Sequence, residues 1–420
     1  MPEQSPHTLL EEGFRWFGPD DPVPLSHIRQ TGASALFNSL HEIPYGETWP
    51  LEAIRQRQAA IEAAGLSWRI VESLPVHEDL KTGRGNLRTL LGNYRRSLRN
   101  LAEAGIRTVV YNFMPVLDWV RTDMSWPLPG GARSLHFDPI RFAAFELHAL
   151  KRPGAEDTYS PEQIEAADRW WRTLDTKGQE RFIQTVIDVF PGVKWGLTLN
   201  HIRQMLDRYQ GIHTAELRAN LERFLSAVIP VAEEVGIRMA IHPDDPPFPI
   251  LGLPRILSTA ADIEAVFALA DHPANGLCFC SGSFSARPDN DLVAMIERFG
   301  SRIHAAHLRN TQRKDDGTFY EGGHLDGSAD MAGIVRALLN EQDRRQAEGR
   351  RDCQITFRPD HGHVMMDDLD KSVVITPGYP SIGRMRGLAE IRGLMHGLRH
   401  TQTLRKYPSF TTEIHALPRE

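Results

Sequence analysis

A short apolar stretch, a polar loop and then residues at helical spacing recur about eight times along this 420-residue sequence, and few folds accept such a rhythm. Gly13 to Gly18 reads as the first strand, closed by the turn Pro19-Asp20-Asp21-Pro22. The second begins within Ala33 to Phe37 and opens into His41-Glu42-Ile43-Pro44. Ser67 to Ser73, Arg107 to Phe113, Arg238 to His242, Gly276 to Cys280, Arg302 to His307 and Cys353 to Phe357 supply the other six. Helices over about Pro50 to Ala64, Arg88 to Ala104 and Thr214 to Glu234 stop at Gly65, Gly105 and Gly236, the residue type best suited to follow a helix C-terminus. Strands that each feed a helix and resume in the same direction make a parallel sheet. Eight of them close into a (β/α)8 TIM barrel. A doubly wound sheet is the alternative, but no Gly-rich phosphate fingerprint follows the first strand.

One interval breaks the rhythm. From about Trp126 to Gly211 the sequence offers helical segments such as Ser160 to Leu174 and Gln179 to Val189, and no convincing strand. Ser160-Pro161-Glu162-Gln163 combines an N-cap serine, an N1 proline and an N3 glutamine. A helical insertion after strand four is therefore expected. Its Trp170, Trp171 and Trp195 are expected to pack on the barrel, on a partner subunit or in a small core of their own. No linker-like composition flanks it, so residues 1–420 are read as a single domain.

Composition narrows the class of partner. A net charge of -6 gives no electrostatic case for nucleic acid. No uninterrupted apolar run reaches the roughly 20 residues of a membrane span. Met1 to Glu12 lacks the basic and apolar regions of a signal peptide, and three cysteines make no disulfide framework. A cytoplasmic location is the expectation.

The chemistry gathers at the ends of the strands. The eighth runs straight into Arg358-Pro359-Asp360-His361-Gly362-His363, which places a guanidinium, a carboxylate and two imidazoles in six residues. In a parallel barrel that position is the catalytic face. Strands five to eight each end on a group able to bind a divalent ion: His242, Cys280, His307 and Asp360. The mixed donor set suits Mn²⁺, Fe²⁺ or Zn²⁺. Alternation puts Cys278 on the same face as Cys280, so periodicity does not choose between them, whereas position at the strand end favours Cys280. Cys278 and His304 are read as core residues.

The runs Ile241-His242-Pro243-Asp244-Asp245-Pro246-Pro247, His307-Leu308-Arg309-Asn310 and Arg358-Pro359-Asp360-His361-Gly362-His363 closely resemble the mannonate dehydratase family. So do Phe14 to Pro22, His41-Glu42-Ile43-Pro44 and Pro377-Gly378-Tyr379, and the likeness covers nearly the whole chain in the same order. The resemblance implies a xylose-isomerase-like barrel that dehydrates D-mannonate to 2-keto-3-deoxy-D-gluconate in hexuronate catabolism, using Mn²⁺ or Fe²⁺. It implies His242, Cys280, His307 and Asp360 as metal ligands, and His361 and Tyr379 as catalytic residues. Arg358, Asn310 and His41 are assigned to the substrate, and a homo-oligomer, a dimer, is expected. The stretch Lys371 to Thr376 departs from the family's pattern.

The residues support that chemistry on their own terms. Dehydrating a 2,3-dihydroxy acid requires removal of the C2 proton and expulsion of the C3 hydroxyl. A cation on substrate oxygens stabilises the developing charge, and an imidazole suits the proton abstraction near pH 7. His361 and His363 both qualify, since Gly362 between them lets the backbone turn either ring inward. Tyr379 or a second imidazole would protonate the leaving hydroxyl. A metal-dependent isomerase or epimerase on the same barrel would share the metal and differ in product. A non-catalytic sugar-acid binder would lack part of the ligand set or the base, and a zinc hydrolase would cleave an ester or amide instead.

Overall fold

Why the sequence rhythm produces a barrel is visible in its strands: Glu11–Arg15 (β1), Ala35–Asn38 (β2), Ser67–Glu72 (β3), Thr108–Tyr111 (β4), Arg238–Ile241 (β5), Asn275–Cys280 (β6), Ile303–His307 (β7) and Thr356–Arg358 (β8). The computed structural model describes residues 8–187, 197–372 and 375–406. Every neighbouring pair is parallel, and β8 pairs with β1 to close the ring. Most of these strands are buried on both faces, which is why they read as nearly continuous apolar runs.

Inside the barrel, Phe37, Ile70, Val110, Ala240, Cys278 and Ala305 form one layer, a residue from each of six consecutive strands. Cys278 is thus a packing residue of the barrel floor. Pleating returns Cys280 to the same face two residues later, one layer nearer the C-terminal mouth. Outside, a larger apolar cluster joins the strands to the surrounding helices. Thr214–Val235 shows how a helix ends to feed a strand: Gly236 takes φ 70°, its N–H caps the carbonyls of Ala232 and Glu233, and β5 begins at Arg238.

Two expectations are corrected. The eighth strand is displaced from Cys353–Phe357 to Thr356–Arg358. The residues ahead of it are tied by side chains, with Ile355 N donating to Gln342 Oε1 at 3.0 Å and Gln354 Nε2 donating to Leu9 O at 2.9 Å. The insertion, for its part, is not wholly helical. Asp123–Pro127 and Arg133–Phe137 form a hairpin around Pro129-Gly130-Gly131, and Arg133–Phe137 pairs in turn with Phe319–Glu321, itself paired with Thr311–Arg313. These strands are short and half-polar. The partner that completes the sheet lies far along the chain, so no local period announces them.

The helices of the insertion follow. Pro161–Trp171 carries the complete Ser160/Gln163 capping box, and Leu199–Arg208 is tied to Phe145–Leu150 by Arg203, which donates to Leu150 O at 3.0 Å and Ala149 O at 3.1 Å. Trp170 meets Phe182 edge-on at 4.7 Å, so the indoles fill the insertion's own core. That core is continuous with Val116, Leu117, Val120 and Ile250 from barrel loops, which docks the insertion on the barrel. Each such buried side chain contributes roughly 1.5–3 kcal/mol of apolar burial. Trp195 and the last residues of the expected Gln179–Val189 helix lie outside the described residues.

Candidate active site

Strand ends bring three of the expected ligands together. Donor atoms of His242, Cys280 and His307, which follow or close β5, β6 and β7, all lie within 4.8 Å of one another. His242 Nδ1 faces Pro243 O at 2.7 Å and so carries the ring proton, leaving a lone pair on Nε2. Burial lowers the pKa of His242, overriding the carboxylates Glu72, Asp360 and Asp245, and keeps the ring neutral. His307 Nε2 lies 3.2 Å from Glu72 Oε2, while His307 Nδ1 faces His242 Nε2 at 3.2 Å and Arg358 Nη2 at 3.4 Å. Two imidazole lone pairs turned toward each other beside a thiol are a donor set that fits a divalent cation.

Asp360 stands alongside, oriented by cations. Cys280 Sγ donates to its Oδ2 at 3.6 Å, Arg309 Nε pairs with the same oxygen at 2.9 Å, and Arg358 Nη1 holds Oδ1. Burial would raise its pKa, but Arg358, His361 and Arg309 hold it well below the usual carboxylate range. Its φ of 62° is a left-handed conformation in a non-glycine residue, a local strain that persists only where surrounding contacts impose it. Gly362 supplies part of that constraint. A Cβ there would sit 2.5 Å from backbone atoms of Gly383 and Arg384, so the loop can lie directly on the first turn of Ser381–Lys406.

His361 lines the same cavity as His242, Asp360, Glu72 and Tyr379. Its ring packs edge-on against Trp119 at 5.2 Å and Tyr379 at 5.1 Å. Its Nδ1 faces Glu321 Oε1 at 3.1 Å and Arg309 Nη1 at 3.0 Å, and its Nε2 lies 3.7 Å from Asp360 Oδ1. His363 points elsewhere: its Nε2 donates to Glu321 O at 2.9 Å, and it borders a separate depression with His324 and Glu390. Tyr379 is buried under Phe17 at 4.8 Å. Burial, moderated by Arg358, pushes its phenol up to about 12.

Of the remaining expected residues, Arg358 lines the same cavity, whereas Asn310 and His41 do not. Arg358 bonds Glu72 through Nε at 2.9 Å and Nη2 at 2.6 Å, and Asp360 through Nη1, so all three of its nitrogens face carboxylates. Asn310 Nδ2 donates to Ala329 O at 3.1 Å and its Oδ1 accepts from Ala329 N at 3.0 Å, which fastens a loop. His41 Nε2 lies 3.1 Å from Arg15 Nη2, near Phe17 rather than among the groups lining the cavity.

Sequence reasoning passed over the acids that organise these groups. Glu72 ends β3 inside the cavity; although burial would raise its pKa, Arg358 and His307 hold it well below the usual range. Glu321 arrives on the antiparallel sheet and joins Asp245, Arg121 and Arg309 in a buried network. Burial would raise the Glu321 pKa as well, yet Arg309, His361 and Arg121 bring it down to about 2. Asp118, at the cavity wall, pairs with buried Lys81 at 3.4 Å, and Glu78 links Lys81 to Tyr209 of the insertion at 2.5 Å. A carboxylate closing the apolar end of its strand, as Glu72 does after Ile70 and Val71, was the available signal.

A closed (β/α)8 barrel that gathers imidazoles, a thiol and carboxylates at the C-terminal ends of its strands defines an enzyme of the TIM-barrel class, with its reaction centre at that face. The chain belongs to the D-mannonate dehydratase (UxuA) family, whose model matches residues 10–405. It is 52% identical to the mannonate dehydratase of Chromohalobacter salexigens over 386 residues, covering 92% of this chain and 98% of that protein. It is 50% identical to the mannonate dehydratase of a Marinomonas species over 393 residues, covering 93% and 100%. The crystal structure of mannonate dehydratase from Streptococcus suis serotype 2 superposes with a TM-score of 0.73 at 32% identity, covering 98% of this chain and 99% of that one. Family membership makes this a hydro-lyase acting on a small sugar acid.

Proposed function

We propose that the chain dehydrates D-mannonate to 2-keto-3-deoxy-D-gluconate in hexuronate catabolism with a divalent cation, Mn²⁺ or Fe²⁺, held by His242, Cys280, His307 and Asp360. The observation that carries this reading is the convergence of the first three on one point, with Asp360, His361 and Tyr379 lining the adjoining cavity. When bound, the cation supplies positive charge to substrate oxygens as C2 loses its proton.

The side chains divide the remaining work. With Glu321 accepting from Nδ1–H, His361 keeps the Nε2 lone pair for the C2 proton. Tyr379, with its pKa pushed up to about 12, stays a phenol at neutral pH and holds the proton that the departing C3 hydroxyl requires. Trp119 and Tyr379, the latter backed by Phe17, pack on the imidazole and exclude water from its faces. Arg358, already committed to Glu72 and Asp360, acts as the ion pair beneath the mouth rather than as the receptor for the substrate carboxylate.

The enzyme is read as cytoplasmic, in keeping with three free thiols at Cys278, Cys280 and Cys353, and as a homodimer. No described helix is long and apolar enough to cross a membrane. The test is to strip the protein with a chelator, reload it with Mn²⁺, Fe²⁺ or Zn²⁺, and offer a panel of hexonates. Formation of a 2-keto-3-deoxy acid from mannonate, lost on chelation and restored by Mn²⁺ or Fe²⁺, is the expected result. Interconversion of isomeric sugars without dehydration would favour the epimerase reading instead.

A further inference from the structure

We propose that Glu72, at the end of β3, is the positioning residue that sets the tautomer of His307 and, through Arg358, the orientation of Asp360. The inference rests on the metal-dependent reading above and adds to it an acid that is not one of the four ligands. Glu72 is buried at 8% exposure and reaches across the barrel to partners on β7 and β8. Its Oε2 lies 3.2 Å from His307 Nε2, and both its oxygens are engaged by Arg358, at 2.9 and 2.6 Å.

The hydrogen-bond logic is directional. A carboxylate only accepts, so the Glu72 contact requires His307 to carry its proton on Nε2. Cys278 Sγ, 3.3 Å from the same nitrogen, is a far weaker acceptor and does not compete. His307 Nδ1 is then the lone-pair nitrogen, and it is the atom that faces His242 Nε2 at 3.2 Å. Pro243 O performs the same service for His242 from the other side. A ligating imidazole whose second nitrogen donates to a carboxylate is fixed in ring orientation and gains basicity.

The second arm runs through Arg358. Its Nε and Nη2 are spent on Glu72, which aims Nη1 at Asp360 Oδ1. Neutralising Glu72 would free the guanidinium to take more of the Asp360 carboxylate. One acid on β3 thus controls two of the four proposed ligands, on β7 and just beyond β8.

The experiment compares wild type, Glu72→Gln and Glu72→Asp. Mn²⁺ affinity is measured by competition with a chelating dye, and turnover is measured as a function of Mn²⁺. Glu72→Gln is expected to weaken Mn²⁺ binding about 10–100-fold, the scale of removing such an outer partner. Its turnover deficit should shrink as Mn²⁺ is raised, and Glu72→Asp should recover part of the affinity. A direct reading that needs no variant to fold is the histidine-labelled ¹H–¹⁵N spectrum of metal-free wild type, in which His307 should appear as the Nε2–H tautomer. Unchanged Mn²⁺ affinity in Glu72→Gln with a lower melting temperature would reduce Glu72 to a structural ion pair. A turnover loss that no amount of Mn²⁺ reduces would make it a catalytic group. Loss of binding beyond about a thousandfold, well past the range for an outer partner, would make it a ligand. An Nδ1–H tautomer at His307 overturns the proposal by itself. Wild type that binds neither Mn²⁺ nor Fe²⁺ would instead defeat the parent reading.

Discussion

Glu321 Oε1 stands 3.1 Å from His361 Nδ1, although the two residues come from different layers, one on an antiparallel sheet and the other on the loop that leaves β8. The carboxylate steadies the imidazole in the way an acid partner orients a catalytic histidine, and Arg309 and Arg121 keep it ionised. Glu321→Gln is expected to lower turnover by about 10–100-fold while bound metal stays near wild type, on the scale of general-base assistance. Steady-state kinetics beside metal analysis of the same preparation check it. A variant with full turnover would show that His361 does not depend on this partner.

The two histidines of the loop should separate cleanly. His361→Asn is expected to keep its fold and its metal yet lose turnover by about 10²-fold or more. His363→Asn, which gives up only a bond to the Glu321 carbonyl, should remain active. Reversal of that order would move the base to His363.

Thiol substitution offers an independent check on the metal site. Cys280 lies in the proposed ligand cluster and Cys278 in the layer below, packed with Phe37 and Ala305. Cys280→Ser should therefore lose metal and activity together, whereas Cys278→Ser should keep its metal at a modest cost in stability. Elemental analysis of both variants after dialysis is the measurement, and equal loss in the two would sink the distinction.

Stability should fall on mild acidification for a reason that His304 makes explicit. Burial, with Arg238, Arg345 and Arg350 adding to it, pushes its pKa well below 6.5. The unfolded chain takes up that proton near pH 6.5 and the folded chain resists, so the contribution is complete above 6.5 and declines as pH drops below it. His304→Gln, which can still donate to Pro273 O, should lose less stability than wild type between pH 7.5 and 5.5 in urea unfolding. Identical losses would exclude His304 as a source of the acid sensitivity.

What could be read from the sequence follows a physical line. The barrel strands declared themselves because burial on both faces forces apolar runs, and Gly65 and Gly236 marked where helices stop. The meeting of His242, Cys280 and His307 at one end of the barrel was legible because each sits where such a run meets polar residues. Glu72 was hidden for the opposite reason: it lies within the strand it terminates, and its partners Arg358 and His307 are remote in sequence. Glu321 was hidden more deeply still. Its strand, Phe319–Glu321, is only three residues long and is defined by pairing with Phe137 and His136, which no local window contains.

That pairing has a consequence for anyone who would transplant specificity between relatives. Arg133–Phe137 belongs to the excursion after β4 and Phe319–Glu321 to the one after β7, yet they are adjacent strands of one sheet. Exchanging either excursion alone would leave the other with an unmatched edge and a misplaced Glu321. The two segments form one inheritable cassette, and a chimera has to carry both.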